Sequence, residues 1–156
     1  MGKASVREAE MGDSTVLAPR LRLADRREII AHSGYSPADG LGDAVRLSER
    51  CWAVILEDEP IALFGYTSDH GNGANIWMLG SDQIQDIKWQ FLRESKIWLN
   101  TIAKDFERLW AIADVRNNLH TKWYEWLGFE VTATIHQGPY DLPFYHIEYI
   151  KEKADV

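Results

Sequence analysis

The sequence predicts an α/β (α+β) domain in which about six to seven strands combine with flanking helices. Three observations lead to this fold class. Two apolar runs, 51–56 and 61–67, are separated by the turn-forming residues 57–60, a pattern typical of a β-hairpin. Apolar residues recur at helical spacing from about 86 to 107. The apolar run 109–113, bounded by polar residues, indicates a buried strand that leads into a short capped helix.

The first third of the chain is predicted to contain one strand, at 4–8, and three helices. Each helix start carries residues suited to the N-cap or first position: Asp13 or Ser14, Asp25, and Ser36 with Pro37. The first helix is expected to end near Leu21, and Gly34 is expected to end the second, which would turn Ile29 and Ile30 inward. The arginines of the second helix alternate with Asp25 and Glu28, so we expect this charged side to face solvent.

The remaining strands are predicted at 75–79, 129–135 and 144–150. No internal repeat, low-complexity segment or linker interrupts the sequence, so residues 1–156 are expected to form one domain.

The segment 117–129 is the most informative part of the chain. Asn117 can cap a helix, and Gly128 can end it in the left-handed conformation. Four residues of this helix share one face: His120, Trp123, Tyr124 and Leu127. With a strand on either side, the segment resembles the second half of the GNAT (Gcn5-related N-acetyltransferase) fold, whose pattern is an Asn, a helix and Tyr-x-x-x-Gly-Phe. Asn117, Tyr124, Gly128 and Phe129 occupy those positions.

The resemblance implies a central mixed, mostly antiparallel sheet and acetyl-CoA as the acyl donor. It makes Tyr124 the candidate general acid for the CoA thiolate, although a core tyrosine is the alternative. Asn117 would contact the cofactor arm or cap the helix. The other candidate cofactor-binding residues are Leu79, Gly80, Ser81, Asp82 and Gln83, in the loop where the family binds the pyrophosphate.

This loop departs from the family pattern Gln/Arg-x-x-Gly-x-Gly/Ala. It has one glycine, no arginine, and two aspartates, Asp82 and Asp86. Aspartates would repel a pyrophosphate, or would cap the amides it needs as the start of the long helix. We therefore expect a degenerate acetyl-CoA site with an acidic mouth.

His120 is the candidate general base because it lies one turn before Tyr124 and titrates near neutral pH, although a structural histidine is the alternative. Asp69, His70 and Asp114 are further candidates, and Asp114 could instead pair with Arg116. The five histidines lack the spacing of metal ligands, so no metal is expected.

Composition limits the kinds of partner and the cellular location that can be expected. The net charge is −7 with scattered basic residues, which disfavours nucleic-acid binding. The sequence contains no run of about 18 apolar residues, which a membrane-spanning helix would need, so a cytoplasmic protein is expected. Cys51 is the single cysteine and predicts an inert thiol. The seven tryptophans cannot all be buried, and some are expected to cover a pocket or a partner surface, although large fillers of the core and the sheet edges are the alternative.

Several segments resemble one branch of GNAT-like proteins of short-tailed, T7-like bacteriophages: 23–29, 33–37, 51–54, 77–82, 91–95, 98–99, 114–117 and 126–129. That resemblance implies an internal virion or assembly protein whose partners are other phage structural or core proteins. Its location would be the cytoplasm of the infected bacterium or the virion. The alternative is an active acetyl-CoA-dependent N-acetyltransferase acting on a small-molecule or protein amine.

Overall fold

A seven-stranded sheet forms the centre of the protein. The computed structural model describes residues 3–150, and within them the strands are β1 (Ser5–Glu8), β2 (Arg50–Leu56), β3 (Glu59–Ser68), β4 (Gly73–Gly80), β5 (Arg108–Asp114), β6 (Glu130–Gln137) and β7 (Leu142–Ile150). The strand order is β1-β2-β3-β4-β5-β7-β6. Every neighbouring pair is antiparallel except β4 and β5, so the sheet is mixed and mostly antiparallel, as predicted.

Helices cover both faces of this sheet. Over the described range they are α1 (Met11–Leu17), α2 (Leu23–Ser33), α3 (Pro37–Leu47), α4 (Lys88–Ala103) and α5 (Asn118–Leu127). On one face, Ile76 of β4 packs with Leu99 of α4 and Tyr124 of α5. On the other, Leu79 of β4 packs in a cluster with Ile29 of α2. Because side chains alternate along a strand, β4 supplies both cores.

β4 and β5 separate along their length. Their parallel pairing covers only Gly73, Ala74 and Asn75 opposite residues 108–110. Beyond these pairs the strands diverge and leave an opening between residues 76–80 and 111–114, called the β4–β5 gap below. A continuous sheet would pair the backbone groups along this opening, so here they need other partners.

The first two helices differ from their predictions. The backbone N–H of Glu10 donates to Asp13 Oδ2 at 2.7 Å, so α1 begins before Asp13, at Met11, and it ends at Leu17. α2 begins at Leu23 with Arg22 in the N-cap position, so Asp25 is not its cap. In α2, Ile29 is buried as predicted, but Ile30 is 40% exposed.

The long helix is also shorter than expected. Residues Asp82–Ile87 form a 3₁₀ turn, and α4 begins only at Lys88. Ser81 caps the 3₁₀ turn by accepting a hydrogen bond from the Gln83 N–H at 3.2 Å. The expectation that Asp82 or Asp86 caps the long helix is therefore wrong.

α5 matches its prediction closely. Asn117 Oδ1 accepts from the His120 N–H at 3.4 Å, and Gly128 ends the helix with a φ of 107°.

The tryptophans differ in burial, as expected: Trp52 is buried, whereas Trp89 is 74% exposed. Burial raises the pKa of the Cys51 thiol to about 12, consistent with an inert thiol. Among residues 3–150, no helix combines the length and apolar character needed to span a membrane.

Candidate active site

α2 places two carboxylates at the wide end of the β4–β5 gap. Asp25 Oδ2 accepts a hydrogen bond from the Gly80 N–H at 2.8 Å, at the end of β4. Glu28 Oε1 accepts from the Asp114 N–H at 2.8 Å, at the end of β5. A spacing of three residues puts both carboxylates on one side of the helix. α2 therefore bridges the two diverging strands.

This arrangement corrects the expectation of a solvated charged side on α2. Asp25 is 0% exposed and Glu28 is 8% exposed. Burying a carboxylate is costly unless hydrogen bonds and opposite charge compensate it. The expectation is wrong because the strand ends supply backbone donors, which a helix surface considered alone does not reveal.

Arg22 and Asn117 also offset the cost of burying the Asp25 carboxylate. Arg22 Nη2 lies 2.6 Å from Asp25 Oδ1 and donates to Asn117 Oδ1 at 3.2 Å. Asn117 Nδ2 donates to Asp25 Oδ1 at 2.9 Å. With its oxygen also capping α5, the Asn117 side chain is engaged inside the protein. Of its two predicted roles, these contacts favour the cap.

His120 faces Glu28 across the gap. Its Nδ1 lies 3.3 Å from Glu28 Oε2, and its ring is almost completely buried. Its Nε2 is buried without a hydrogen-bond partner among the described residues. Burial lowers the pKa of His120, but the charge and hydrogen bond of Glu28, helped by Asp25 and opposed by Arg22, raise it more. The net pKa is above the ordinary value.

Tyr124 follows His120 by one helical turn. It is 1% exposed, and the two ring centroids are 5.4 Å apart. Burial raises the pKa of Tyr124 well above its ordinary value, and Glu28 and Asp25 add to this effect. The hydroxyl therefore stays protonated, which is the state a proton donor needs. The Tyr124 ring also packs on the Phe129 ring, with the centroids 5.2 Å apart, as the predicted alternative of a core tyrosine requires.

The larger of two cavities at the gap lies on the side of the sheet that α2 and α3 cover. It has a volume of about 550 Å³ and reaches His120 and Tyr124 through the gap. Glu28 and Asp43 line it, and within residues 3–150 no lysine or arginine does. Its carboxylates therefore make this cavity acidic in character.

The smaller cavity lies on the opposite side, between the first turn of α4 and α5, with a volume of about 220 Å³. In the described part of the chain, no acidic residue lines it, and three cationic residues do: Arg22, Lys88 and Lys122. Leu119 and Trp126 add apolar surface. Met78 and His120 line both cavities, so the cavities meet at the gap.

Most of the residues predicted to bind the cofactor, at 79–83, do not line the two cavities. Leu79 lines the larger cavity, whereas residues 80–83 line neither cavity. Ile84 and Gln85, one turn later, border the smaller one. Asp82 and Asp86 are exposed and also line neither cavity, so the expected acidic mouth does not border this space.

Two of the other candidate bases, Asp114 and Asp69, have charged partners of their own. Asp114 pairs with Arg116 at 2.7 Å, as the alternative predicted. Asp69 accepts from Trp110 Nε1 at 2.9 Å and pairs with Arg108, near the paired end of β4 and β5. Within residues 3–150, no group of three or more potential metal ligands occurs.

Sequence reasoning found His120 and Tyr124 but missed Arg22, Asp25, Glu28, Lys88 and Lys122. The spacing of Asp25 and Glu28 beside the apolar Ile29 was the available signal. The three cations come from separate elements, and the sequence pattern does not relate them to one another.

No protein-family model and no curated protein sequence matches the chain. Its structure, however, is similar to those of known acetyltransferases. A GNAT-family acetyltransferase from Bacillus anthracis matches with a TM-score of 0.70 and 12% identity over 97% of this chain and 96% of that chain. AAC(6')-Ib in complex with ribostamycin and coenzyme A matches with a TM-score of 0.70 and 15% identity over 99% and 97%.

A spermidine N-acetyltransferase chimera of Vibrio cholerae SpeG and hSSAT matches with a TM-score of 0.67 and 13% identity, covering 98% of each chain. These likenesses extend over nearly the whole chain. They show that the protein has the GNAT fold, as the segment 117–129 predicted.

Proposed function

We propose that the protein is an N-acyltransferase that moves an acetyl group from acetyl-CoA to an amine. The observation that carries this proposal is the meeting of two cavities of opposite charge at Met78 and His120. A two-substrate transfer requires the donor and the acceptor to approach one point, and these cavities reach the β4–β5 gap from opposite sides of the sheet.

The smaller cavity fits an anionic donor with an apolar arm. Arg22, Lys88 and Lys122 would attract the phosphates, because charge-assisted bonds to phosphate are among the strongest available to these side chains. Leu119 and Trp126 would cover the less polar parts. Acetyl-CoA supplies the activated acetyl group when it is bound here.

The larger cavity fits a cationic acceptor, because its charged lining residues are Glu28 and Asp43. Two structural neighbours point the same way: AAC(6')-Ib is in complex with ribostamycin and coenzyme A, and the SpeG chimera is a spermidine N-acetyltransferase. Tyr124, at the inner end of this cavity, would donate its proton to the departing CoA thiolate.

A calorimetric and thermal-shift titration with acetyl-CoA tests the donor site. Binding at 100 times the Kd should stabilise the fold by about 2.7 kcal/mol. Lys122→Ala should weaken binding several-fold, whereas Lys104→Ala, which removes an exposed lysine outside the cavity, should leave the Kd unchanged. No binding at millimolar acetyl-CoA would refute the proposal.

An assay of thiol release tests the acceptor site, with spermidine and ribostamycin as probes. Release that depends on a probe amine, with an acetylated product detected by mass spectrometry, is the expected result. If acetyl-CoA binds but neither probe is acetylated, the result supports the proposed donor site and refutes the proposal that the acceptor is a small cationic amine.

The second candidate is the predicted role as an internal virion or assembly protein, with phage structural or core proteins as partners. It rests on the resembling sequence segments and on exposed aromatic surface such as Trp89. The two cavities favour the transferase, because the aspartates that suggested a degenerate site lie outside them. Absence of the protein from particles and assembly intermediates, with normal assembly after its deletion, would remove the second candidate.

A further inference from the structure

We propose that Glu28 and His120 form a proton-accepting pair for the acceptor amine, in which Glu28 holds a proton on His120 Nδ1 and Nε2 takes the proton of a bound primary ammonium group. This inference rests on the proposed function and deepens it. It assigns the point in the larger cavity where the amine binds and is activated. Glu28 acts through His120 and is therefore a positioning residue.

The orientation of the Glu28 carboxylate is fixed by two contacts. One carboxylate oxygen accepts from the Asp114 N–H at 2.8 Å, and the other lies 3.3 Å from His120 Nδ1. With one oxygen held by the backbone of β5, the other is directed at the histidine ring. A carboxylate can only accept a hydrogen bond, so this contact favours a proton on Nδ1.

Asn117 is the competing partner for Nδ1. Its Nδ2 also lies 3.3 Å from His120 Nδ1, but this nitrogen donates to Asp25 at 2.9 Å. If Asn117 donated to Nδ1 as well, the proton of neutral His120 would sit on Nε2 instead. The two tautomers therefore distinguish a catalytic pair from a purely structural histidine.

The other ring nitrogen of His120 is Nε2. It is buried and lacks a hydrogen-bond partner among the described residues, although the ring borders both cavities. A buried polar nitrogen without a partner is unfavourable, and in a native structure such an atom calls for an explanation, of which a catalytic role is one. With Nδ1 protonated, Nε2 presents a lone pair, so its missing partner must be a donor. A primary ammonium group is such a donor.

The charges around His120 agree with this assignment. On α2 and just before it, Glu28 and Asp25 favour the protonated ring, whereas Arg22 opposes it. Tyr124 follows on α5, and Lys122 and Lys88 line the smaller cavity with His120. Asp43 and His32 line the larger one. Burial lowers the pKa of His120, but the carboxylates raise it above its ordinary value, which suits a base that must deprotonate an ammonium group.

The proton balance of the transfer is complete with these residues. The ammonium nitrogen first gives one proton to Nε2, and its lone pair then forms the C–N bond as the C–S bond of the thioester breaks. The CoA thiolate takes the proton of Tyr124. The nitrogen loses a second proton, which restores Tyr124, and His120 releases the first to solvent. The products are an amide, CoA thiol and one proton.

Nitrogen-15 NMR of the histidine side chains tests the pair without any ligand. Wild-type His120, identified by loss of its signal in His120→Gln, should titrate with a pKa above 6.5 and carry its neutral-state proton on Nδ1. In Glu28→Gln the amide oxygen can keep the Asp114 bond while the amide nitrogen donates to Nδ1. The pKa should therefore fall, and the neutral proton should move to Nε2.

Asp43→Asn is the matched control, because it neutralises the other carboxylate that lines the same cavity but pairs with Arg46 instead. It should leave the tautomer and the pKa of His120 as in the wild type. A wild-type ring protonated on Nε2, or a pKa unmoved by Glu28→Gln, would overturn the inference.

The transfer assay with acetyl-CoA and spermidine gives the second readout. kcat/KM for the amine should rise with pH through the measured His120 pKa, and Glu28→Gln should lower it at least tenfold without changing the Kd of acetyl-CoA. Equal kcat/KM values in Glu28→Gln and wild type would refute the proposal that Glu28 and His120 act as a proton-accepting pair. If acetyl-CoA does not bind at all, the proposed function fails, whereas the NMR result still decides the state of His120.

Discussion

The Asp25 carboxylate accepts a hydrogen bond from the backbone N–H of Gly80 at 2.8 Å, across 55 residues of sequence. Asp25 is fully buried, so this bond forms without competition from water. It attaches α2 to the last residue of β4, while Glu28 attaches the same helix to β5. The width of the β4–β5 gap, and the meeting point of the two cavities, thus depend on one helix.

Asp25→Ala should destabilise the fold strongly. It removes the acceptor for Gly80 and leaves Arg22 and Asn117 without their shared partner, and breaking a buried ion pair costs roughly 3–5 kcal/mol. Urea unfolding at pH 7 measures the change. Asp43→Ala breaks an exposed pair with Arg46 at the same spacing and should cost only about 0.5 kcal/mol. Equal losses in the two variants would contradict the role of Asp25.

Asp13 should contribute stability that disappears in acid. The hydrogen bond from Arg7 lowers the pKa of Asp13 against the opposing effect of burial, and the Glu10 N–H lowers it further. Because the folded pKa is depressed, the contribution is complete above the unfolded value of about 3.9 and is lost as pH falls through the lower folded value.

Asp13→Asn should therefore reduce the free energy of unfolding by about 1.5 kcal/mol at pH 7. The difference from wild type should shrink below about pH 4, as followed by urea unfolding at several pH values. Asp105→Asn, at an exposed aspartate, controls for the loss of one charge. A difference for Asp13→Asn that stays constant down to pH 2 would rule out this linkage.

Gly138→Ala should disrupt the contact between the β6–β7 turn and the end of α2. Gly138 has a φ of 77°, and an added Cβ would lie 2.1 Å from the Ala31 carbonyl oxygen. Strain and overlap with backbone together should cost roughly 2–4 kcal/mol. Gly12→Ala, where nothing lies within 4 Å of the new Cβ, should instead stabilise α1 by about 0.5–1 kcal/mol. Thermal unfolding of both variants would show changes of opposite sign.

Tyr124→Phe should lower kcat about 100-fold while leaving the KM for acetyl-CoA nearly unchanged. The ring keeps its packing on Phe129, and Tyr124 does not line the smaller cavity. Tyr140→Phe, at a 59% exposed tyrosine, should leave kcat as in the wild type. Thiol release provides both constants, and an unchanged kcat in Tyr124→Phe would leave the tyrosine with a structural role alone.

α5 could be predicted because its determinants are local. Asn117 and Gly128 mark its ends through contacts within a few residues, and the spacing of His120 and Tyr124 places them on one buried face. The strands were predictable for the same reason, since apolar runs and turn residues define them along the sequence. The whole sheet then followed from the likeness of residues 117–129 to one fold.

The carboxylates of α2 could not be placed in this way. Asp25 and Glu28 are stabilised by backbone donors 55 and 86 residues away, and a charged residue on an amphipathic helix is normally solvated. Likewise, Arg22, Lys88 and Lys122 converge only after α2, α4 and α5 have packed. The prediction that Asp82 and Asp86 form an acidic mouth at the cofactor site was wrong, because the 3₁₀ turn leaves both residues exposed.

The shared border at Met78 has a consequence for inhibitor design. Met78 lines both cavities, so a single compound that fills both must pass between the diverging strands beside this methionine. Compounds with a bulky middle segment should therefore bind less tightly than compounds with the same ends and a slender middle segment.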